Sequence, residues 1–111
     1  MLYRDDIDSS SIKAIAYEED IQVLYVTFKS TAVYCYEGVS PAVVTELLTA
    51  TSKGYYFSTN IRGIFPTRQL EPDEIEELMH HITMSTAKRN SAWLHTALSI
   101  ARMTGYREVL F

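Results

Sequence analysis

The chain has 111 residues, with 14 acidic and 10 basic side chains, a formal charge of −4, one cysteine and eight tyrosines. That length suits a single domain with a core of its own, and the mild negative charge excludes a general, salt-driven grip on a nucleic-acid backbone while leaving room for a small basic patch. No stretch approaches the apolar run of a membrane span, the opening Met-Leu-Tyr-Arg-Asp-Asp does not read as a secretion signal, and the lone Cys35 fits a reducing cytoplasm.

Residues 1–10 are polar and acidic, ending in Asp8-Ser9-Ser10, and are expected to form a loose leader. Ile12 to Tyr17 is the first strand candidate. Glu18-Glu19-Asp20 makes a charged turn into Ile21 to Phe28, and the polar link Lys29-Ser30-Thr31 leads into Ala32 to Glu37. Both later runs alternate β-branched or aromatic residues with others, the pattern of a half-buried strand. Leu24, Val26 and Phe28 share one face of the first; Tyr34 and Tyr36 share one face of the second, opposite Cys35. Short links favour antiparallel neighbours, so the three runs are expected to form a meander.

Gly38-Val39-Ser40-Pro41 ends this sheet. Gly38 permits a positive φ, the Ser40 hydroxyl suits a helix cap, and Pro41 suits the first helical position. A helix is predicted from Pro41 to Lys53, stopped by Gly54, with Val43, Val44, Leu47 and Leu48 toward the sheet. Tyr55-Tyr56-Phe57 then reads as strand-prone, and Ile64 to Arg68 as a linker, because Pro66 cannot sit inside a ladder. Beyond Leu70 the composition turns helical. Glu71-Pro72-Asp73-Glu74 is a helix start, and Ile75, Leu78, Met79 and Ile82 recur at helical spacing. After a polar stretch Trp93, Leu94, Ala97, Leu98 and Ala101 resume the stripe. One long helix and a pair broken near Lys88-Arg89-Asn90 both fit, the pair somewhat better.

Between Ser11 and Phe65 this order of residues resembles the KTSC domain, a small module found at the end of some lysyl-tRNA synthetases and as free-standing bacterial and phage proteins. The resemblance is carried by Ile15 and Tyr17, by Leu24, Val26 and Phe28, by Tyr34-Cys35-Tyr36 with Gly38-Val39, and by Ser52, Gly54, Tyr56, Phe57, Ile61 and Arg62. Thr31 departs from it, standing where the hairpin turn usually has glycine, and so does Ser58, where asparagine is common. The resemblance implies a role in RNA binding and brings no catalytic residue with it.

Candidate binding residues follow from chemistry. Tyr34 and Tyr36 point to one face, joined by Tyr17 and Tyr25 if the register allows. Such rings either stack unpaired bases or pack beneath the helix. Arg62, with Lys53, Arg68 and Lys13 or Lys29, marks a local basic patch, and its guanidinium either grips an anion bidentately or pairs with Glu37 or Glu46. On the helical segment Glu74, Glu76, Glu77 and Trp93 are the candidates for a protein partner. His80 and His81 are adjacent, so on a helix they diverge and cannot chelate together. No metal or cofactor is expected.

The sequence therefore predicts an α+β chain: a three-stranded antiparallel meander packed on one helix over residues 11–66, and a helical extension over 67–111 whose two apolar stripes complete the core or join two copies as a homodimer. The function that the resemblance implies is a non-catalytic binding module, for RNA through its tyrosines and Arg62. The alternative is a protein-interaction factor, such as a phage-encoded inhibitor of a host or defence protein, acting through acidic and helical surfaces.

Overall fold

The computed structural model describes residues 1–87, with side chains to residue 84. Trp93, the break near Lys88, the second apolar stripe and its role in a homodimer lie outside the described residues. The chain divides into a unit of Met1–Leu70 and one beginning at Glu71.

Five strands, not three, make the sheet of the first unit: β1 (Leu2–Arg4), β2 (Ile12–Glu18), β3 (Val23–Phe28), β4 (Val33–Glu37) and β5 (Thr67–Gln69), all antiparallel and in that spatial order. The central three are those the alternation marks. The outer two are short edges. The expected leader contributes β1, with Leu2 opposite Tyr17 and Arg4 opposite Ile15. Thr67–Gln69, expected in the helical extension, pairs instead with β4. Pro66 stands just before that strand, where its missing N–H costs no ladder bond and its carbonyl accepts from Glu37 at 3.0 Å.

Register sorts the side chains. Tyr17, Leu24, Tyr36 and Thr67 form one row, and Ile15, Val26, Tyr34 and Gln69 the next, all on one face. A bulge at Lys13 brings Ile12 opposite Phe28 on that same side. The other face carries Ala14, Ala16, Val33 and Cys35, all buried, with Tyr25 half-buried between Ala16 and Cys35.

Two short helices cover the first face where one was expected. α1 (Pro41–Thr49) starts with Pro41 at its first position and buries Val44 and Leu47. Ser40 caps it through its carbonyl, which accepts from Val43 and Val44, and not through its hydroxyl. The chain turns extended at Ala50, and α2 (Lys53–Asn60) begins after Ser52, whose hydroxyl accepts from the Tyr55 N–H at 3.3 Å. Tyr55-Tyr56-Phe57, expected as a short strand or an extended return across the helix end, is thus helical. The cap fixes the start, and Phe57 and Ile61, four apart, bury together. Gly54 lies inside the first turn instead of stopping a helix.

The core joins Ile12, Ile15, Tyr17, Leu24, Val26 and Tyr36 to Val39, Val44, Leu47, Phe57 and Ile61. Each fully buried large side chain there contributes roughly 1.5–3 kcal/mol. Two polar links tie its parts. The Tyr17 hydroxyl donates to the Val39 carbonyl, and the Tyr56 hydroxyl donates to Glu46 at 2.6 Å, joining α2 to α1.

The second unit opens with α3 (Pro72–Ala87). The Glu71 N–H donates to the Glu74 carboxylate at 2.9 Å, as a capping residue requires, while Glu76 and Glu77 face solvent. Leu78 and Ile82 are buried. No helix among the described residues is long and apolar enough to cross a membrane.

Candidate functional site

Beyond the reach of α2, the helix-covered face opens into a groove of about 600 Å³. Phe28 and Tyr34 form its apolar wall, Lys29 and Arg62 its cationic side, and Ser11 and Ser30 its rim. Each is placed for a local reason. Phe28 ends β3 and Lys29 begins the turn, tied by its N–H to the Ser11 carbonyl at 2.8 Å. Arg62 follows the end of α2, its N–H donating to the Phe57 carbonyl at 2.9 Å.

Two of the ring pairs meet edge to face and the Phe28–Phe57 pair is tilted at 58°. Phe28 lies 5.8 Å from Tyr34 at 75° and 5.6 Å from Phe57, and Tyr36 lies 5.2 Å from Phe57 at 88°. Such pairs add about 0.5–1.5 kcal/mol beyond area burial. The Arg62 guanidinium rests on two of these rings, 5.9 Å from the centre of Phe28 and 5.5 Å from that of Phe57. A contact with ring faces spends none of its N–H groups, which remain for another partner. Arg62 is exposed and has no carboxylate in ion-pair reach among the described residues, where Arg4 pairs with Asp6 and Glu46 takes the Tyr56 hydroxyl. The expected alternative, a pair with Glu37 or Glu46, is not formed.

The tyrosines separate. Tyr17 and Tyr36 are buried, at 4% and 3% exposure, so they pack beneath the helices. Burial pushes the Tyr36 phenol up, while a hydrogen bond from Thr67 and the Arg62 charge pull the other way. Tyr17 is likewise pushed up, by burial and then by Glu19. Tyr34 is half-buried at the groove, its hydroxyl 3.4 Å from the Gln69 amide oxygen. Tyr25 points to the other face and does not join them, nor does Arg68, which stands opposite Cys35. Lys53 lies outside this groove, donating to the Ala50 carbonyl at 3.2 Å.

Of the candidates, Tyr34 and Arg62 come together at an open surface. Tyr36 reaches that groove from the core, and Lys29 joins them. Sequence reasoning missed Phe28 as a wall and the serines as a rim. Their signal was position: an aromatic at a strand's last residue beside a lysine, and a hydroxyl run just before β2. The arrangement suits a planar ring carrying an anion, with ring against ring and phosphate or carboxylate toward Arg62 and Lys29. No three His, Cys, Asp or Glu side chains among the described residues cluster as a metal site does.

An uncharacterized protein of Stutzerimonas stutzeri (strain A1501) is 44% identical over 52 residues, which are 47% of this chain and 73% of that one. A lysine–tRNA ligase of Nostoc sp. is 43% identical over 63 residues, 57% of this chain and 11% of that enzyme. The crystal structure of a KTSC domain protein from Yersinia pestis superposes with a TM-score of 0.58 at 30% identity, covering 63% of this chain and all of that one. Residues 8–65 match the model of the KTSC domain, and the chain belongs to that family.

Proposed function

We propose that this protein is a non-catalytic binding module that holds an unpaired nucleotide of single-stranded RNA in the groove, with its base against Phe28 and Tyr34 and its phosphate at Arg62 and Lys29. The supporting observation is the Arg62 guanidinium, lying over Phe28 and Phe57 with its N–H groups unspent on any described carboxylate. The overall charge of −4 agrees with a local contact and not a long electrostatic track. The Nostoc relative, a lysine–tRNA ligase, is by name a protein that acts on RNA.

Fluorescence anisotropy with a labelled single-stranded RNA octamer tests the reading. Arg62→Ala and Tyr34→Ala are expected to weaken binding tenfold or more while the chain stays folded at the assay temperature. One neutralised phosphate gives a log–log salt slope of about −0.7 for a single strand. Wild-type affinity in Arg62→Ala ends the reading. RNA-free behaviour with a stable protein complex through Glu76 and Glu77 would establish the rival, a protein-interaction factor.

A further inference from the structure

Ser10 and Ser11 do not only rim the groove at Arg62. They also line a second concavity of about 430 Å³ on their other side, with Asp8, Lys53, Tyr55 and Ser58 around it. The two hollows share those two serines, which makes them neighbours on the surface.

Their chemistry differs. The first is cationic, with Lys29 and Arg62 and no carboxylate in its lining. In the second Asp8 offsets Lys53, whose ammonium already donates to the Ala50 carbonyl at 3.2 Å. A phosphate gains little there. A base gains more, because Tyr55 is 71% exposed, among the largest apolar surfaces left open, and its ring stacks on no other ring among the described residues. A tyrosine face beside a carboxylate and hydroxyls is how unpaired bases are held and read at their Watson–Crick edges.

We infer that this second concavity is a base subsite for the neighbouring nucleotide of the strand held at Arg62, with Tyr55 stacking on the base and the Asp8 carboxylate accepting from its edge. The inference rests on the RNA reading of the first groove. It also sets a preference. Guanine presents two adjacent N–H donors to a carboxylate, whereas uracil presents one N–H between two carbonyl oxygens that repel it. Guanosine is favoured over uridine.

The test compares labelled tetrauridylate, an alternating uridine–guanosine tetramer and uridine monophosphate on the full chain. Tyr55→Ala and Asp8→Asn alter exposed residues, and circular dichroism verifies that both variants fold. Wild type is expected to bind the guanosine-containing tetramer about tenfold more tightly than tetrauridylate. Tyr55→Ala weakens both tetramers roughly fivefold to a hundredfold, the cost of one stacked base, and leaves the mononucleotide unchanged. Asp8→Asn removes the guanosine preference without weakening tetrauridylate. If tetramers bind in an Arg62-dependent way but ignore Tyr55→Ala, or show no base preference, the second subsite is wrong and the first groove stands. If wild type binds none of the three, the reading of the first groove fails and this inference fails with it.

Discussion

Tyr34 and Tyr36 stand two residues apart on one face of β4, yet one lies in core and the other in a groove. Phe57 of α2 covers Tyr36 edge to face at 5.2 Å, and Ile61 closes the same region. One row along, Tyr34 meets Phe28 edge to face, with no second ring against it among the described residues, and is half-buried. Which part of a sheet face packs and which part stays open is thus decided by how far the covering helix reaches. Had the helix run unbroken from Pro41 to Lys53, Phe57 would not lie where it does; the extended step at Ala50 and the cap at Ser52 set it over Tyr36.

The largest expected effect separates these two residues. Tyr36→Ala empties a packed site and is expected to cost about 3–5 kcal/mol of stability in urea denaturation, as aromatic-to-alanine changes in cores do. Tyr34→Ala is expected to cost about 1 kcal/mol or less while weakening RNA binding. Tyr36→Ala is therefore a poor probe of recognition, because loss of binding would follow loss of fold. Equal stability losses in the two variants would show that Tyr34 also belongs to the core.

A smaller effect sits at the far end of the covered face. The Tyr17 hydroxyl donates to the Val39 carbonyl, both residues buried. Tyr17→Phe keeps the ring and leaves that carbonyl without its partner, at a cost of about 1–3 kcal/mol. An unchanged urea midpoint would mean that water reaches Val39. Thr31 offers the opposite sign. Its φ of 76° lies in the left-handed region, where a β-branched residue is strained by about 1–3 kcal/mol. Thr31→Gly relieves that strain, less the backbone freedom glycine loses, for a net gain of about 1 kcal/mol. A lower midpoint in that variant would refute the assignment of strain.

The same positions show what a sequence discloses. Strands β2, β3 and β4 were legible because seven, six and five residues suffice for alternation to declare itself. Three-residue edges such as Leu2–Arg4 and Thr67–Gln69 carry no period, and their pairing is decided by the strands they meet. Tyr55-Tyr56-Phe57 was misread because aromatic residues favour strands locally, whereas burial of Phe57 with Ile61 rewards a helix. In the site, Arg62 was visible as one member of a basic set with Lys53 and Arg68. Its two supporting rings were not, since Phe28 is distant in sequence and Phe57 sat in a presumed strand. Nor could alternation say which tyrosine the helices would cover, for Tyr34 and Tyr36 obey it equally.

The last effect concerns what keeps α2 over Tyr36. The Tyr56 phenol is pushed up to about 12, first by burial and then by its hydrogen bond to the Glu46 carboxylate and that group's charge. In the unfolded chain it titrates near 10. The folded state therefore keeps a proton that the unfolded state gives up between about pH 10 and 12, and stability falls with rising pH across that window. The contribution is whole below about pH 10 and gone above about pH 12. Tyr56→Phe lacks the titrating group, so the difference between wild type and this variant in urea midpoint is expected to be constant up to about pH 10 and then to shift against wild type. Glu46→Gln lowers the folded-state value toward 10 and narrows the window. A difference that stays flat through pH 12 would mean that this pair does not hold α1 and α2 together, and the placement of Phe57 over Tyr36 would then rest on apolar packing alone.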